Sequence, residues 1–136
     1  MASGIYNRFK ANLMNKIIDL EADSIIVMLM STVHAFDAAH NVVGDVDANE
    51  LATAGGYTQK TEALANGAVT QAATTKFDAD NCVWAASTFT AYHAVLYDDT
   101  VGTDDLIASF DFGGAKTVTG GTFTIDWNAA GIITLA

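Results

Sequence analysis

The feature that most constrains the fold of this chain is an alternation of apolar and polar residues in its C-terminal half. Residues 89–97, 106–112 and 123–127 each follow this period of two, which is typical of a β-strand with one buried face. The glycine pairs at 113–114 and 120–121 predict the two ends of a short hairpin region. Short strands of this kind must each bury one face against a second layer, so we expect two packed sheets.

The first 18 residues follow a different period, because their apolar residues recur every four positions. Ile5, Phe9 and Leu13 fall on one stripe, which predicts an amphipathic helix with Ser3 as its N-cap. Farther along, residues 24–32 are apolar at nearly every position, as in a strand that is buried on both faces.

The predicted fold is mainly β: a single-domain β-sandwich, jelly-roll-like, with one N-terminal amphipathic helix. We place the helix at 1–18 and the β-sandwich domain at 19–136. Within that domain, residues 33–57 have no strong period and predict a long loop, which is a common place for contacts with a partner. The 136 residues, 51% of them hydrophobic, are enough for one domain with its own core.

Cysteine content and apolar runs predict a soluble protein that comes from a reducing compartment or that never needed oxidation. The chain has a single cysteine, Cys82, so no disulfide can form within it. We expect no secretory signal, because Arg8 and Lys10 are not followed by an apolar run. The longest apolar run, residues 25–30, is far too short to cross a bilayer.

Charge is distributed unevenly along the chain, which has a net charge of −10. Residues 1–16 hold three basic residues and no acid, whereas the remaining 120 residues hold three lysines and all 16 acids. Phosphate contacts supply most of the affinity for nucleic acid, so an acidic body argues against a nucleic-acid partner and against an anionic membrane.

The basic end of the chain is the candidate partner-binding segment. We expect its apolar stripe to bury area against a partner and its basic side chains to face acids there. In the alternative interpretation, the same stripe packs on the sandwich of its own chain. The candidate partner-binding residues are Ile5, Arg8, Phe9, Lys10, Leu13 and Lys16.

The stretch "GDVDANELATAGGY" begins like a calcium loop, with Asp45, Asp47 and Asn49 at alternate positions. An EF-hand loop also needs glycine at its sixth position and glutamate at its twelfth. Here those positions hold Glu50 and Gly56, so we predict that the stretch holds no structural calcium.

No catalytic or metal-binding motif is found among the residues that carry such chemistry. His34, His40 and His93 have no second ligand at metal spacing, and Cys82 has no base beside it in the sequence. We therefore expect no enzyme activity, no cofactor and no metal site. An enzyme would need a pocket that brings one of these histidines together with an acid.

Several stretches resemble those of a family of small virion structural proteins from tailed bacteriophages, proteins that are associated with the head or the tail of the particle. These are "IYNRFKANLM" followed by "IDLEADSIIVMLM", "DVDANELATAGGYT", "VWAASTFTAYHAVLYDD" and "LIASFDFGGAKTVTGGTFTIDWNAAGIITLA". Together they cover most of the chain, and "FTIDWNAAGIITL" is the most specific of them.

The resemblance implies a structural, non-enzymatic role in a virion that is assembled in the cytoplasm of the host bacterium. The first interpretation is a capsid decoration, or cement, protein that binds the head lattice as a homo-oligomer, with a trimer favoured. Its partners would be the major capsid protein or other virion proteins. The alternative is a neck, tail or fibre component.

A third interpretation is a carbohydrate- or receptor-binding module. It depends on Tyr57, Trp84, Tyr92 and Trp127 being exposed around a groove, where aromatic rings can stack on a ligand.

Overall fold

This computed structural model describes residues 3–136. The fold is mainly β, as the sequence predicts, with two antiparallel sheets and one α-helix near the N-terminus of the described part, in a single domain that resembles a β-sandwich. Two short 3-10 helices, Val43–Asp45 and Asp47–Asn49, lie in the segment between the second and third strands. The elements in chain order are β1 (Gly4–Ile5), α1 (Asn7–Met14), β2 (Ile25–Met30), β3 (Glu62–Ala63), β4 (Ala68–Thr70), β5 (Thr75–Asp78), β6 (Cys82–Asp98), β7 (Asp105–Ile125) and β8 (Ile133–Leu135).

The larger sheet has the order β1-β7-β6-β2-β3, and the smaller one has the order β4-β5-β8. Eight strands in two sheets is the number that a jelly roll has, but here they divide five and three. The larger sheet is built on the hairpin of β6 and β7, whose register places Cys82 opposite Ile125 and Asp98 opposite Asp105. The intervening residues 99–104 form the turn that joins the two strands.

Strand β7 is continuous over 21 residues, so the short hairpin predicted between the two glycine pairs is wrong. The glycines serve as irregularities within the strand instead. Ala91 lies opposite Lys116 and His93 opposite Asp111, so residues 112–115 have only one residue facing them on β6. Gly113 and Gly114, with φ of 77° and 133°, adopt backbone conformations that glycine alone visits easily, and they allow this bulge.

Strand β2 is buried along its whole length because it separates two cores. Ile25, Val27 and Leu29 face the main core between the sheets. The alternate residues, Ile26 and Met28 among them, face a second core that is covered by the 3-10 segment. Because a layer covers each face of the strand, both alternating sets of residues are apolar. The apolar run at residues 24–32 predicts this burial on both faces.

The helix is shorter than the sequence predicts, and the prediction for 1–18 is corrected at both ends. Gly4 and Ile5 are in β1, where they pair with Ser109 and Ala108 of β7. Helix α1 begins at Asn7 after an N-cap position at Tyr6, not at Ser3, and it ends at Met14. The first two residues of the predicted range lie outside the described residues.

Candidate docking surface

Helix α1 packs on its own domain, so most of its apolar stripe is not free for a partner. Phe9 is 1% exposed in the main core, and the half-buried Ile5 and Leu13 pack against the same core. The expectation that Phe9 contacts a partner is therefore wrong for the folded chain, because its ring is already covered by the sandwich.

The basic residue nearest the core is also used within the chain. Arg8 Nε donates to Asp105 Oδ2 at 2.9 Å, and Asn12 Nδ2 donates to the same oxygen at 2.7 Å. Thr103 Oγ1 donates to the other oxygen of Asp105. Although burial acts in the opposite direction, the hydrogen bonds from these three residues hold the pKa of Asp105 below its ordinary value. Arg8 thus fixes α1 to the start of β7.

The remaining basic candidates, Lys10 and Lys16, are exposed, and only Lys16 adjoins an opening in the surface. The opening is a cavity of about 460 Å³ between α1 and one face of the smaller sheet. We call it the apolar groove. Its lining consists of Phe9 and Leu13 of α1, residues 16–20, Val69 of β4, residues 75–77 of β5, and Ile133 and Leu135 of β8.

The floor of the apolar groove is one face of the smaller sheet. Val69 lies opposite Phe77, and Phe77 lies opposite Ile133, so these three side chains form a row across β4, β5 and β8. The sheet face continues to the rim at Leu135, which is 56% exposed, and Val69 is 42% exposed. Ile17, on the helix side, is 49% exposed. Large apolar side chains are thus open to solvent on both sides of the groove.

The charge of the apolar groove differs from that of the molecule as a whole. Asp19 is the one acid in the lining, and its Oδ1 accepts from the backbone N–H groups of Glu21 and Ala22. Lys16 and Lys76 are the two basic residues. Lys76 Nζ donates to the carbonyl oxygen of Ala129 at 2.9 Å. Asp78 Oδ2, outside the lining, lies 4.0 Å from the same Lys76 Nζ. The lining itself holds two lysines and one aspartate, so it is weakly basic on a chain with a net charge of −10.

The stretch that resembles a calcium loop uses its carboxylates inside the chain. Asp45 Oδ2 accepts from the backbone N–H groups of Asn41 and Val42, and Asp47 forms an ion pair with Lys60 at 3.0 Å. Nowhere in residues 3–136 do three histidine, cysteine, aspartate or glutamate side chains form a group that could hold a metal ion.

Glu50 and Tyr57 attach the same stretch to the main core. The Tyr57 hydroxyl donates to Glu50 Oε1 at 2.7 Å and accepts from the backbone N–H of Leu29 at 3.0 Å. The backbone N–H of Lys60 donates to the same Glu50 oxygen. Burial, followed by the hydrogen bond to Glu50, raises the pKa of Tyr57, so the hydroxyl keeps its proton and remains a donor. In the sequence, Glu50 stands out only as the residue at the failed sixth position of a calcium loop, and no local pattern predicts this contact.

Two of the three histidines, His34 and His93, lie in a buried polar cluster, and His93 is the one that lies near an acid. His34 Nε2 lies 3.0 Å from Ser109 Oγ, and the His34 and His93 ring centroids are 5.0 Å apart. His93 Nε2 lies 3.6 Å from Asp111 Oδ1. Burial, with His93 and His40 adding to it, lowers the pKa of His34 to about 4, so its ring is neutral near pH 7.

Part of the histidine cluster meets the condition stated for an enzyme, because His93 and Asp111 line one cavity, whereas His34 and Ser109 do not line it. His34 and Ser109 are fully enclosed, so neither can contact a substrate in this structure. His93 and Asp111 line a cavity of about 480 Å³ beside the Gly113–Gly114 bulge, while Ser109 does not. The cluster therefore holds the segment after β2 against β7 and leaves the serine without an approach route.

Two further titratable groups are buried without a catalytic arrangement. Burial raises the pKa of Cys82 to about 12, so its thiol is protonated and a poor nucleophile. Asp98 Oδ1 accepts from the backbone N–H groups of Thr100 and Val101 in the turn between β6 and β7. Burial raises the pKa of Asp98 to about 7, and the neighbouring Asp23 carboxyl adds to this shift.

The aromatic residues named for a carbohydrate site do not surround a groove. Tyr57 and Trp84 are buried in the main core, where their rings pack with Phe89 and Phe123. Buried rings cannot stack on a sugar, so this condition of the carbohydrate interpretation fails for these two residues. Tyr92 and Trp127 are half-buried; Tyr92 lines the cavity at His93, and Trp127 packs on Phe110.

Comparison of the chain with protein-family models, with curated proteins and with solved structures finds no match. Within residues 3–136, no helix has the length and apolar content that crossing a membrane requires.

Proposed function

We propose that this chain is a non-enzymatic structural protein of a tailed bacteriophage particle, and specifically a capsid decoration protein that binds the head lattice. The observation that carries the proposal is the apolar, weakly basic groove on an otherwise acidic molecule. Exposed apolar side chains that gather at one place usually mark a surface for another protein. The sequence resemblance to phage virion proteins supplies the kind of partner, the major capsid protein or another virion protein.

The charge distribution supports attachment to protein rather than to nucleic acid or membrane. The chain has 16 acids against six basic residues, so the molecule as a whole repels phosphate groups. A decoration protein must also approach its lattice in one orientation. A weakly basic groove on an acidic body favours one orientation during encounter, while apolar contacts provide the affinity.

The test is to locate the protein in particles of the virus that encodes it. Particles assembled without the protein would be compared by electron cryomicroscopy with the same particles after the purified chain is added back. We expect added density at repeated positions on the head. Density at the neck, tail or fibre would support the alternative position in the particle, and failure to bind or to be incorporated would contradict a virion role.

A further inference from the structure

We propose that the apolar groove binds a short segment of another polypeptide that carries apolar side chains flanked by carboxylates. This inference rests on the proposed function, because it takes the partner to be a virion protein. It replaces the sequence-based expectation in which the whole helix stripe forms the anchor. Phe9 and Leu13 here form the wall of the groove, and the exposed contacts come from the segment after α1 and from the smaller sheet.

The size and lining of the groove fit an inserted peptide segment. Its volume of about 460 Å³ lies within the range of about 300–1,000 Å³ that is usual for ligand pockets. Val69 and Leu135 belong to β4 and β8, the two edge strands of the smaller sheet, so apolar contacts extend to both of its edges. Such an opening can take several adjacent side chains, which gives a segment more apolar contact than a single residue would make.

The charges favour carboxylates beside those apolar side chains. Lys16 and Lys76 lie at the groove, while Asp19 is occupied by backbone N–H groups. The stretches that supply most of the lining, residues 1–18, 63–77 and 127–136, contain no acid at all. A segment with local carboxylates therefore meets two lysines and one acid in the lining, with Asp78 next to Lys76, and Lys16 is the lysine with no carboxylate recorded beside it within residues 3–136.

A second copy of this chain fits the groove less well. Each copy has a net charge of −10, so docking one body into the groove of another brings two acidic surfaces together. A partner segment needs only a few carboxylates and can belong to a protein of any net charge. We therefore assign the groove to a different polypeptide.

The first experiment tests the apolar contacts with matched surface variants. Val69→Asp and Leu135→Asp place a charge in the groove at exposed positions, where the fold should tolerate it. Val83→Asp is the control, because Val83 is a valine on a strand with a similar exposure of 50% but lies outside the groove. Binding of each variant to particles assembled without the protein would be measured by co-sedimentation.

We expect each groove variant to bind particles about tenfold or more weakly than the unchanged chain, because each puts a charge into an apolar contact. The control variant should bind as the unchanged chain does. Equal binding by all three variants would overturn the groove assignment. Thermal unfolding of every variant would be measured first, so that a variant that fails to fold is replaced by Ile17→Asp.

The second experiment tests the charge preference with a defined probe. Two fluorescent peptides of the same alternating leucine pattern would be compared, one with aspartates and one with lysines between the leucines. We expect the aspartate peptide to bind the unchanged chain at least about fivefold more tightly at low salt. The double variant Lys16→Glu and Lys76→Glu should reverse this preference, whereas Lys116→Glu, at an exposed lysine outside the groove, should keep it.

Together the two experiments distinguish an error in the groove inference from an error in the proposed function. If the unchanged chain binds particles and the groove variants bind equally well, the groove inference is wrong and the virion role stands. If the unchanged chain does not bind particles but shows the peptide preference, the virion role is wrong and the groove is still a peptide site. Equal affinity for both peptides would contradict the proposed carboxylate preference.

Discussion

At the scale of single residues, the hydroxyl of Tyr57 is the contact that fixes the long loop to the core. It joins a backbone donor of β2 to the buried carboxylate of Glu50. The ring also packs between Trp84 and Phe89. One side chain therefore satisfies two buried polar groups while it fills apolar space, which explains how an acidic residue can lie at the edge of the main core.

Tyr57→Phe should lower the free energy of unfolding by about 1–3 kcal/mol, because it removes the acceptor of the Leu29 N–H and one of the two donors to Glu50 Oε1. Urea denaturation would measure the change. The matched control is Tyr92→Phe, at a half-buried tyrosine whose hydroxyl has no hydrogen bond within residues 3–136. A loss equal in both variants would show that the Tyr57 hydrogen bonds add nothing to stability.

His34 and Asp98 should have opposite effects on the pH dependence of stability. The His34 pKa falls from 6.5 to about 4 on folding, so its contribution to stability is lost as pH decreases through that interval. The Asp98 pKa rises from 3.8 to about 7, so its contribution is lost as pH increases through nearly the same interval. Each group can change the slope by at most about 1.4 kcal/mol per pH unit.

Removing one of the two groups should reveal how the other changes stability with pH. In Asp98→Asn, stability should rise more steeply from pH 4.5 to 6.5 than it does in the unchanged chain, whereas in His34→Gln it should fall. Urea midpoints across this range (roughly five pH values) provide the measurement. If stability depends on pH in the same way in both variants, neither the pKa of Asp98 nor the pKa of His34 is shifted as described.

At the scale of elements, α1 belongs to the folded domain and its packing contributes to the stability of that domain. Phe9→Ala should lower the free energy of unfolding by about 3–5 kcal/mol, since it leaves a cavity in the main core. Met14→Ala, at a highly exposed position on the same helix, should change stability by less than about 0.5 kcal/mol. If both variants unfold at the same urea concentration as the unchanged chain, the helix does not contribute to the core.

The sequence predicts the strands well where burial has a clear period. Residues 89–97 and 106–112 alternate, and the acidic stretch between them forms the turn of the β6–β7 hairpin. Prediction from the sequence fails where a tertiary contact overrides the local pattern. Ile5 has the spacing of a helix residue, yet it pairs as a strand with Ala108, which is far away in the chain. The glycine pair at 113–114 is compatible with a turn and with a bulge, because both can require positive φ. The sequence alone therefore does not distinguish the two.

The apolar groove could be predicted only in part. Leu13 and Lys16 were candidates for partner binding, and both line it. Val69 and Leu135 carry no local signal, because each is one apolar residue in a short strand. Their meeting depends on the pairing of β4 and β8 with opposite edges of β5, and no pattern within the sequence specifies that pairing. The acid beside His93 could not be predicted for the same reason, because the register of β6 and β7 is what places Asp111 opposite it.

At the scale of the whole molecule, net charge should control self-association. We expect a homo-oligomer, with a trimer favoured, whose assembly strengthens with salt because salt screens the repulsion between acidic bodies. Sedimentation equilibrium from about 0.05 to 0.5 M salt would measure the association constant, and screening over about 4–14 Å spans this range. A chain that remains monomeric at every salt concentration, and that makes no contact between copies in the particle, would contradict the expectation.

The long-range contact between Arg8 and Asp105 has a consequence for biosynthesis. The two residues are 97 positions apart, so α1 leaves the ribosome well before β7 exists. At about 5–20 residues per second, the delay is about 5–20 s. During this time Tyr6 and Phe9 lack the part of their native cover that β6 and β7 provide. The strands β6 and β7, in contrast, can pair locally as soon as their turn emerges. We therefore expect nascent chains that stop before β7 to be held by chaperones at their N-terminal segment.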